Sequence, residues 1–230
     1  SFNIDPDALR PLFTERTRAV VPVHQLGLAA ELDPILALAA EHDVAVVEDA
    51  ACALGTTYHG QPVGTRGAMS CFSFHPRKII TTGEGGLITT NDDDLAARLQ
   101  VLRSQGMSVP ADVRHQAGRV VFEEYRELGY NYRLTDIQAA IGLEQMKRLP
   151  TLLSGRRELA RRYDEMLRPL EGITPPVDPE PGSHAYQSYM VLLDEQLDRE
   201  AVMQRMLKLG VSTRRSVQAI HLEPLYEDGG

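Results

Sequence analysis

Lys78 and Asp49 are the residues whose types and settings could do covalent chemistry in this sequence. Lys78 stands in PRKIITTGEGG, directly behind the apolar run MSCFSFH. A lysine held against a buried strand can serve as a nucleophile toward a carbonyl carbon. A solvated loop lysine is the alternative, and it is the commoner fate of the residue type. Asp49 closes the apolar run VAVVED. A carboxylate there either faces a ligand beyond the strand end or caps the chain that follows. TTGEGG is not a phosphate loop: it lacks the GK[ST] ending, and no G-x-G-x-x-G occurs elsewhere. Its glycines let the chain turn tightly into the next strand.

Those residues need elements to carry them. Arg18 to His24 (RAVVPVH) is an apolar run of strand length. Asp33 offers a side-chain cap and Pro34 suits the first helical position. Ile35, Leu36, Leu38 and Ala39 then give a helical apolar face up to His42. Val44 to Val47 is a second run, ending in Glu48 and Asp49. Strand, helix and strand at this length predict parallel strands with a right-handed crossover. In such sheets ligands bind beyond the carboxyl ends of the strands, where both His24 and Asp49 fall.

Two more strands are predicted, Met69 to His75 and Gly86 to Thr90, with Lys78 in the loop between them. Asn91 is expected to cap a helix whose first turn is Asp92, Asp93 and Asp94. Ser104 to Glu127 is polar and irregular, with Phe122 and Tyr125 inside it. Thr135 and Gln138 resemble a capping box that opens a helix through Lys147. A second helix is expected beyond Pro150, from Thr151 to Leu167. The Pro- and Gly-rich stretch EGITPPVDPEPGS (Glu171 to Ser183) reads as a junction. A strand from Tyr189 to Leu193, a helix from Asp198 to Leu209 and a strand start at Val211 follow. The expected division is a large domain over residues 1–150 and an incomplete small α/β domain over residues 151–230.

Composition narrows the class. Of 230 residues, 43% are hydrophobic and 24% charged, which suits a globular chain that needs no metal or disulfide staple. Cys52 and Cys71 show no CxxC spacing and are read as reduced thiols of a cytoplasmic protein, with no metal site expected. The net charge of -8 and pI near 5.4 argue against a nucleic-acid partner. No stretch has the apolar length of a membrane span. SFNIDPDALRPLF lacks the pattern of a signal peptide, and the chain opens without Met inside an apparently structured segment.

Three motifs then occur in order: EDAACALG (Glu48 to Gly55), SFHPRKIITTGEGG (Ser73 to Gly86) and GYNYRLTDIQAAIG (Gly129 to Gly142). With PVHQLG (Pro22 to Gly27) they closely resemble the DegT/DnrJ/StrS family of sugar aminotransferases, which depend on pyridoxal 5'-phosphate (PLP). The resemblance spans essentially the whole chain. It implies an α/β fold, the fold-type-I aminotransferase large domain, with a mostly parallel sheet flanked by helices and a partial small domain.

The resemblance also implies roles. Lys78 matches the lysine that holds PLP as a Schiff base and later shuttles the proton. Asp49 matches the carboxylate paired with the pyridine nitrogen. Ser73 matches a serine that binds the cofactor phosphate. Asn131 matches an asparagine that reaches the phosphate of a neighbouring subunit, which implies a homodimer with shared sites. Cys52 stands where the family often has a glutamine touching the cofactor's phenolic oxygen. His184, Tyr186, Arg214 and His221 lie in segments that resemble substrate-lining ones, though each could equally be an ordinary surface or core residue, and His24 is either beside the cofactor or a satisfied structural histidine.

The function implied is transfer of an amino group from glutamate or glutamine to a keto sugar, a nucleotide-linked 4-keto-6-deoxy hexose. A keto-cyclitol acceptor and a non-catalytic regulatory relative are the alternatives. Lys78, where related dehydratases carry histidine, favours amino transfer. The family's Gly-Thr phosphate turn and its cofactor-stacking aromatic have no counterpart here, so a chain shortened at both ends is expected.

Overall fold

Alternation of apolar and polar residues makes the strands, and their order fixes where the site lies. The computed structural model describes residues 1–109, 111–125, 127–178, 182–215, 217, 219 and 222–226. In chain order the elements are α1 (Pro6–Leu9), β1 (Ala19–Val20), α2 (Leu32–Glu41), β2 (Ala45–Asp49), β3 (Thr57–Tyr58), β4 (Gln61–Pro62), β5 (Met69–Ser73) and β6 (Gly86–Thr89). Then come α3 (Asp93–Arg103), α4 (Ala111–Gln116), α5 (Asp136–Leu167), β7 (Ile173–Thr174), β8 (Gly182–Ser183), β9 (Leu192–Leu193) and α6 (Arg199–Lys208).

The main sheet has the order β1-β2-β5-β6. β1, β2 and β5 are parallel, and β6 runs antiparallel to β5. The carboxyl ends of β2 and β5 therefore share one edge of the sheet, with Asp49 opposite Cys71 and Ser73 opposite Gly86. The predicted strand over Arg18 to His24 is shorter in the structure because Pro22 has no N–H to give the ladder. Its flanks still pair: the Pro22 carbonyl accepts the Asp49 N–H at 2.9 Å, and the His24 N–H donates to the Asp49 carbonyl at 3.0 Å.

Helix α2 covers this sheet with Leu32, Ile35, Leu38 and Ala39, all buried. Each of the three larger side chains contributes about 2 kcal/mol by leaving water. Their neighbours are Val20 and Val46 on one side and Ala50, Ala53 and Phe72 on the other. A third cluster joins Phe74, Ile79 and Ile80, beyond β5, to Leu153 of α5 and to Ala185.

Several expectations shift. Glu31, not Asp33, occupies the N-cap of α2 and makes no side-chain cap. Asp33 instead pairs with Arg66 and His59. Asp92, not Asn91, caps α3 by accepting the Leu95 N–H at 3.0 Å. The capping box at Thr135 and Gln138 is present, but the helix it opens runs straight through Pro150. One lost backbone hydrogen bond there is outweighed by packing on both sides of the proline, where Leu149, Leu152 and Leu153 join the third cluster. The expected domain boundary at residue 150 thus falls inside α5. The junction region contains strands: β7 pairs with β9, and β8 joins β3 and β4 in a small sheet. The expected strand from Tyr189 shortens to β9, and Val211 begins irregular chain. Among the described residues no helix is long and apolar enough to cross a membrane.

Candidate active site

Asp49, Ser73 and Lys78 come from β2, β5 and the loop behind β5, at the shared carboxyl edge. All three are half-buried. The Asp49 carboxylate accepts the Ala51 N–H at 3.0 Å through Oδ1, which fixes the start of the turn after β2. Its Oδ2 accepts no hydrogen bond among the described residues. Cys71, its register partner on β5, has its thiol pushed up, first by burial and then by the nearby Asp49 carboxylate. Cys52 lies in the same turn, and the Lys78 ammonium donates to its sulfur at 3.1 Å. That contact ties the lysine loop to the chain directly following Asp49. The Ser73 hydroxyl accepts the His75 N–H at 3.3 Å, which leaves its own proton free to donate.

The Lys78 loop is braced from below and from the side. Ile79 and Ile80 are buried in the third cluster. The Phe74 carbonyl accepts from both the Thr81 hydroxyl at 2.9 Å and the Thr82 N–H at 3.1 Å. Gln187 reaches in from the chain beyond β8 and donates to the Arg77 carbonyl at 2.5 Å. Gln138, in the first turn of α5, donates to the Glu84 carbonyl at 2.7 Å.

For His24 the structure favours the second of its two readings, a satisfied structural histidine. It is fully buried, with both ring nitrogens engaged, so it presents no surface to a substrate. Its Nδ1 accepts the Ala30 N–H at 3.0 Å, so Nε2 carries the proton and donates to Glu48 at 2.9 Å. Glu48 is also fully buried. Burial pushes its carboxyl up, but hydrogen bonds from His24 and from the Gly67 amide outweigh this and hold it below the usual range. His24 and Glu48 thus lock the chain after β1, the end of β2 and the loop at Gly67 together.

His184 and Tyr186 likewise lie in the core. Both are buried, and their rings stack at 4.0 Å. His184 Nδ1 accepts the Tyr186 N–H at 2.8 Å. Burial, reinforced by the Arg157 charge, pulls the imidazole down to about 4 and keeps it neutral. Tyr186 takes a left-handed backbone, φ 48°, which its packed ring and the neighbouring hydrogen bonds hold in place. These residues seat the turn that presents Gln187. Arg157 secures it further, donating to the carbonyls of His184 at 3.1 Å and Gly55 at 3.2 Å.

Two of the other expected residues are exposed. Arg214 is exposed in the irregular chain after α6. His221 lies outside the described residues. Asn131 is exposed, and its side chain accepts locally from Arg133 at 3.0 Å. Gln187 and Arg157 escaped the sequence reading, which gives Gln138 only a capping role. Gln187 meets a loop 110 positions away in the chain, and neither periodicity nor a motif announces such a contact.

Comparison with known proteins gives this arrangement its relatives. The DegT/DnrJ/EryC1/StrS aminotransferase family matches residues 1–230. A GDP-perosamine synthase of Caulobacter vibrioides is 42% identical over 98% of the chain and 59% of its own length. The chain thus spans about 59% of the length of the curated relatives it matches. Helicobacter pylori PseC, an aminotransferase involved in the biosynthesis of pseudoaminic acid, superposes with a TM-score of 0.90 at 31% identity, over 98% of this chain and 59% of its own. The sugar aminotransferase CalS13 from Micromonospora echinospora gives 0.87 at 33% identity, over 98% and 60%. The expected aminotransferase fold is therefore present, and the chain belongs to the DegT/DnrJ/EryC1/StrS aminotransferase family.

Proposed function

We propose that the complete protein is a PLP-dependent sugar aminotransferase. The observation that carries this reading is the Lys78 ammonium, 3.1 Å from the sulfur of Cys52 in the turn that begins at Asp49. An amine and a carboxylate thus reach one strand edge from two different loops. PLP supplies an electron sink for a carbanion at the amino carbon. The donors present fit that group. Asp49 Oδ2 is free among the described residues to accept the proton of a pyridine nitrogen and hold it there. The Ser73 hydroxyl donates to a phosphate oxygen. Lys78 Nζ binds the cofactor and, once released, carries a proton from the amino carbon. Cys52 positions that amine from one side while Gln187, through the Arg77 carbonyl, holds its loop from the other.

The acceptor in this reading is a keto sugar, in particular a nucleotide-linked 4-keto-6-deoxy hexose, with glutamate or glutamine as donor. The GDP-perosamine synthase and sugar aminotransferases among the relatives support the sugar class. A homodimer with Asn131 turned toward the partner's site completes the reading. The exposed aromatic side chains flanking Asn131 support it.

Absorbance of the complete protein with added PLP tests the proposal. A visible band from lysine-bound cofactor is expected, and Lys78→Ala abolishes it. Amino transfer to keto sugars falls by about 10³-fold or more in the same variant. A complete protein without the band, or a Lys78→Ala variant that keeps it, overturns the reading.

A further inference from the structure

We propose that Cys52 and Lys78 form a site of oxidative modification, in which a peroxide joins the sulfur to the lysine nitrogen. Nζ and Sγ lie 3.1 Å apart, already in contact. Both residues are half-buried at the strand edge, so neither is sealed in the core. Both cysteines are free thiols, and the amine is the group that touches the Cys52 sulfur.

The chemistry balances in two steps. The Cys52 sulfur attacks one oxygen of hydrogen peroxide, the O–O bond breaks, and a sulfenic acid and one water form. Sulfenic acids condense with a nearby nucleophile. Here the Lys78 ammonium gives up a proton to solvent, the freed amine attacks sulfur, the S–O bond breaks, and a second water leaves as the S–N bond forms. Sulfur is oxidised by two electrons, peroxide is reduced by two, and the protein loses two hydrogens. A small thiol reverses the step by attacking sulfur, which releases the amine and leaves a mixed disulfide that a second thiol reduces.

The consequence, though not the chemistry, rests on the role given to Lys78 above. The cross-link occupies the amine assigned to the cofactor, so oxidation closes the site until a thiol reopens it. Cofactor already bound at Lys78 shields the pair.

Peptide mass mapping of the complete, cofactor-free protein after hydrogen peroxide treatment tests the proposal. A peptide pair joining Cys52 to Lys78, two hydrogens lighter than its separate parts, is expected. Dithiothreitol removes it. Cys52→Ser and Lys78→Arg lack it, and Cys71→Ser keeps it. The proposal fails if Cys52 goes on to sulfinic or sulfonic acid with Lys78 free. It fails equally if Cys52 joins Cys71, or if Cys52 stays reduced at a peroxide dose that oxidises Cys71. Absence of a visible cofactor band in the untreated protein would instead remove the role of Lys78 and leave the mass result standing on its own.

Discussion

The loop that carries Lys78 and the segment that carries Asn131 are ordered by opposite means. In the first, side chains do the work: Ile79 and Ile80 are buried, and Gln187 and Gln138 grip backbone carbonyls on either side of the lysine. In the second, the backbone does it. Ser104 bridges Asn131, Met107 bridges Tyr125, and the Gln105 N–H donates to the Tyr130 carbonyl at 2.9 Å. Gly106 and Gly129 approach so closely there that a Cβ on Gly106 would lie 2.1 Å from the Glu127 carbonyl oxygen. Yet Phe122 is 85% exposed and Tyr132 74%. Backbone pairing with little side-chain burial beyond Met107 fixes a shape and leaves an apolar surface to be covered. The lysine loop is braced from within the chain, whereas the asparagine segment exposes apolar surface that a second subunit could cover.

The sharpest way to break this contrast is to empty the brace under the lysine. Ile80→Ala deletes a side chain that is 1% exposed between Phe74, Leu153 and Ala185. A loss of about 2–5 kcal/mol in denaturant unfolding of the complete protein is expected. PLP affinity should fall with it, because the cavity lies directly behind the lysine. Unchanged affinity at reduced stability would show that the loop holds its shape without this packing.

A second test uses pH and acts through the turn that presents Gln187. His184 is neutral in the folded protein, with its imidazole held near 4 by burial, against 6.5 when exposed. Below pH 6.5 the unfolded chain takes up a proton that the folded one refuses until pH approaches 4. Stability is therefore unaffected by this group above pH 6.5 and falls as pH drops from 6.5 toward 4. The group's share of that fall is about 3 kcal/mol. His184→Gln keeps an acceptor for the Tyr186 N–H and removes the titration. Its unfolding free energy should be less steep with pH in this window than that of the parent, and equal slopes would refute the assignment.

Gln187→Leu comes next in size. It keeps the side-chain bulk but takes away the donor to the Arg77 carbonyl, at a cost of about 1 kcal/mol. The informative readout is the pH at which the lysine-bound cofactor changes colour. It should shift in Gln187→Leu if the grip positions the amine, and stay put if Gln187 only adds stability.

Sequence served the two regions unequally. The parallel strands, the Asp49 strand end and the capping box at Thr135 follow from periodicity and local chemistry, and the structure places them close to where the residues indicate. His24 was ambiguous for a physical reason. A histidine at a strand end suits a ligand site or a buried hydrogen-bond pair equally, and only the partners decide. Here Ala30 and Glu48 decide for burial. His184 and Tyr186 were open for the same reason, since aromatic residues beside a strand look alike from either face. Pro150 misled because the rule against proline inside a helix is local, whereas the packing that keeps α5 continuous comes from Ile79, Ile80 and Ala185.

The smallest effect on the chain itself should come from its most exposed aromatics, and that is what makes it useful. Tyr132 stacks on Tyr130 at 5.0 Å, and both rings face outward. Replacing Tyr132 by Ser removes apolar surface that the chain itself barely buries, so its own unfolding free energy should change by no more than about 0.5 kcal/mol. If a second subunit covers this segment, the same substitution takes a large aromatic from an interface, where such residues carry most of the binding energy. Sedimentation of the complete protein should then show dimer association weakened by about tenfold or more, since each 1.4 kcal/mol is a factor of ten. Tyr132→Ser with Phe122→Ser should weaken it further. Unchanged assembly in the double variant would mean that these rings stay in water, and Asn131 would lose its route to a neighbouring site. A large loss of stability with assembly intact would instead place the segment's support inside the chain, and the contrast with the lysine loop would vanish.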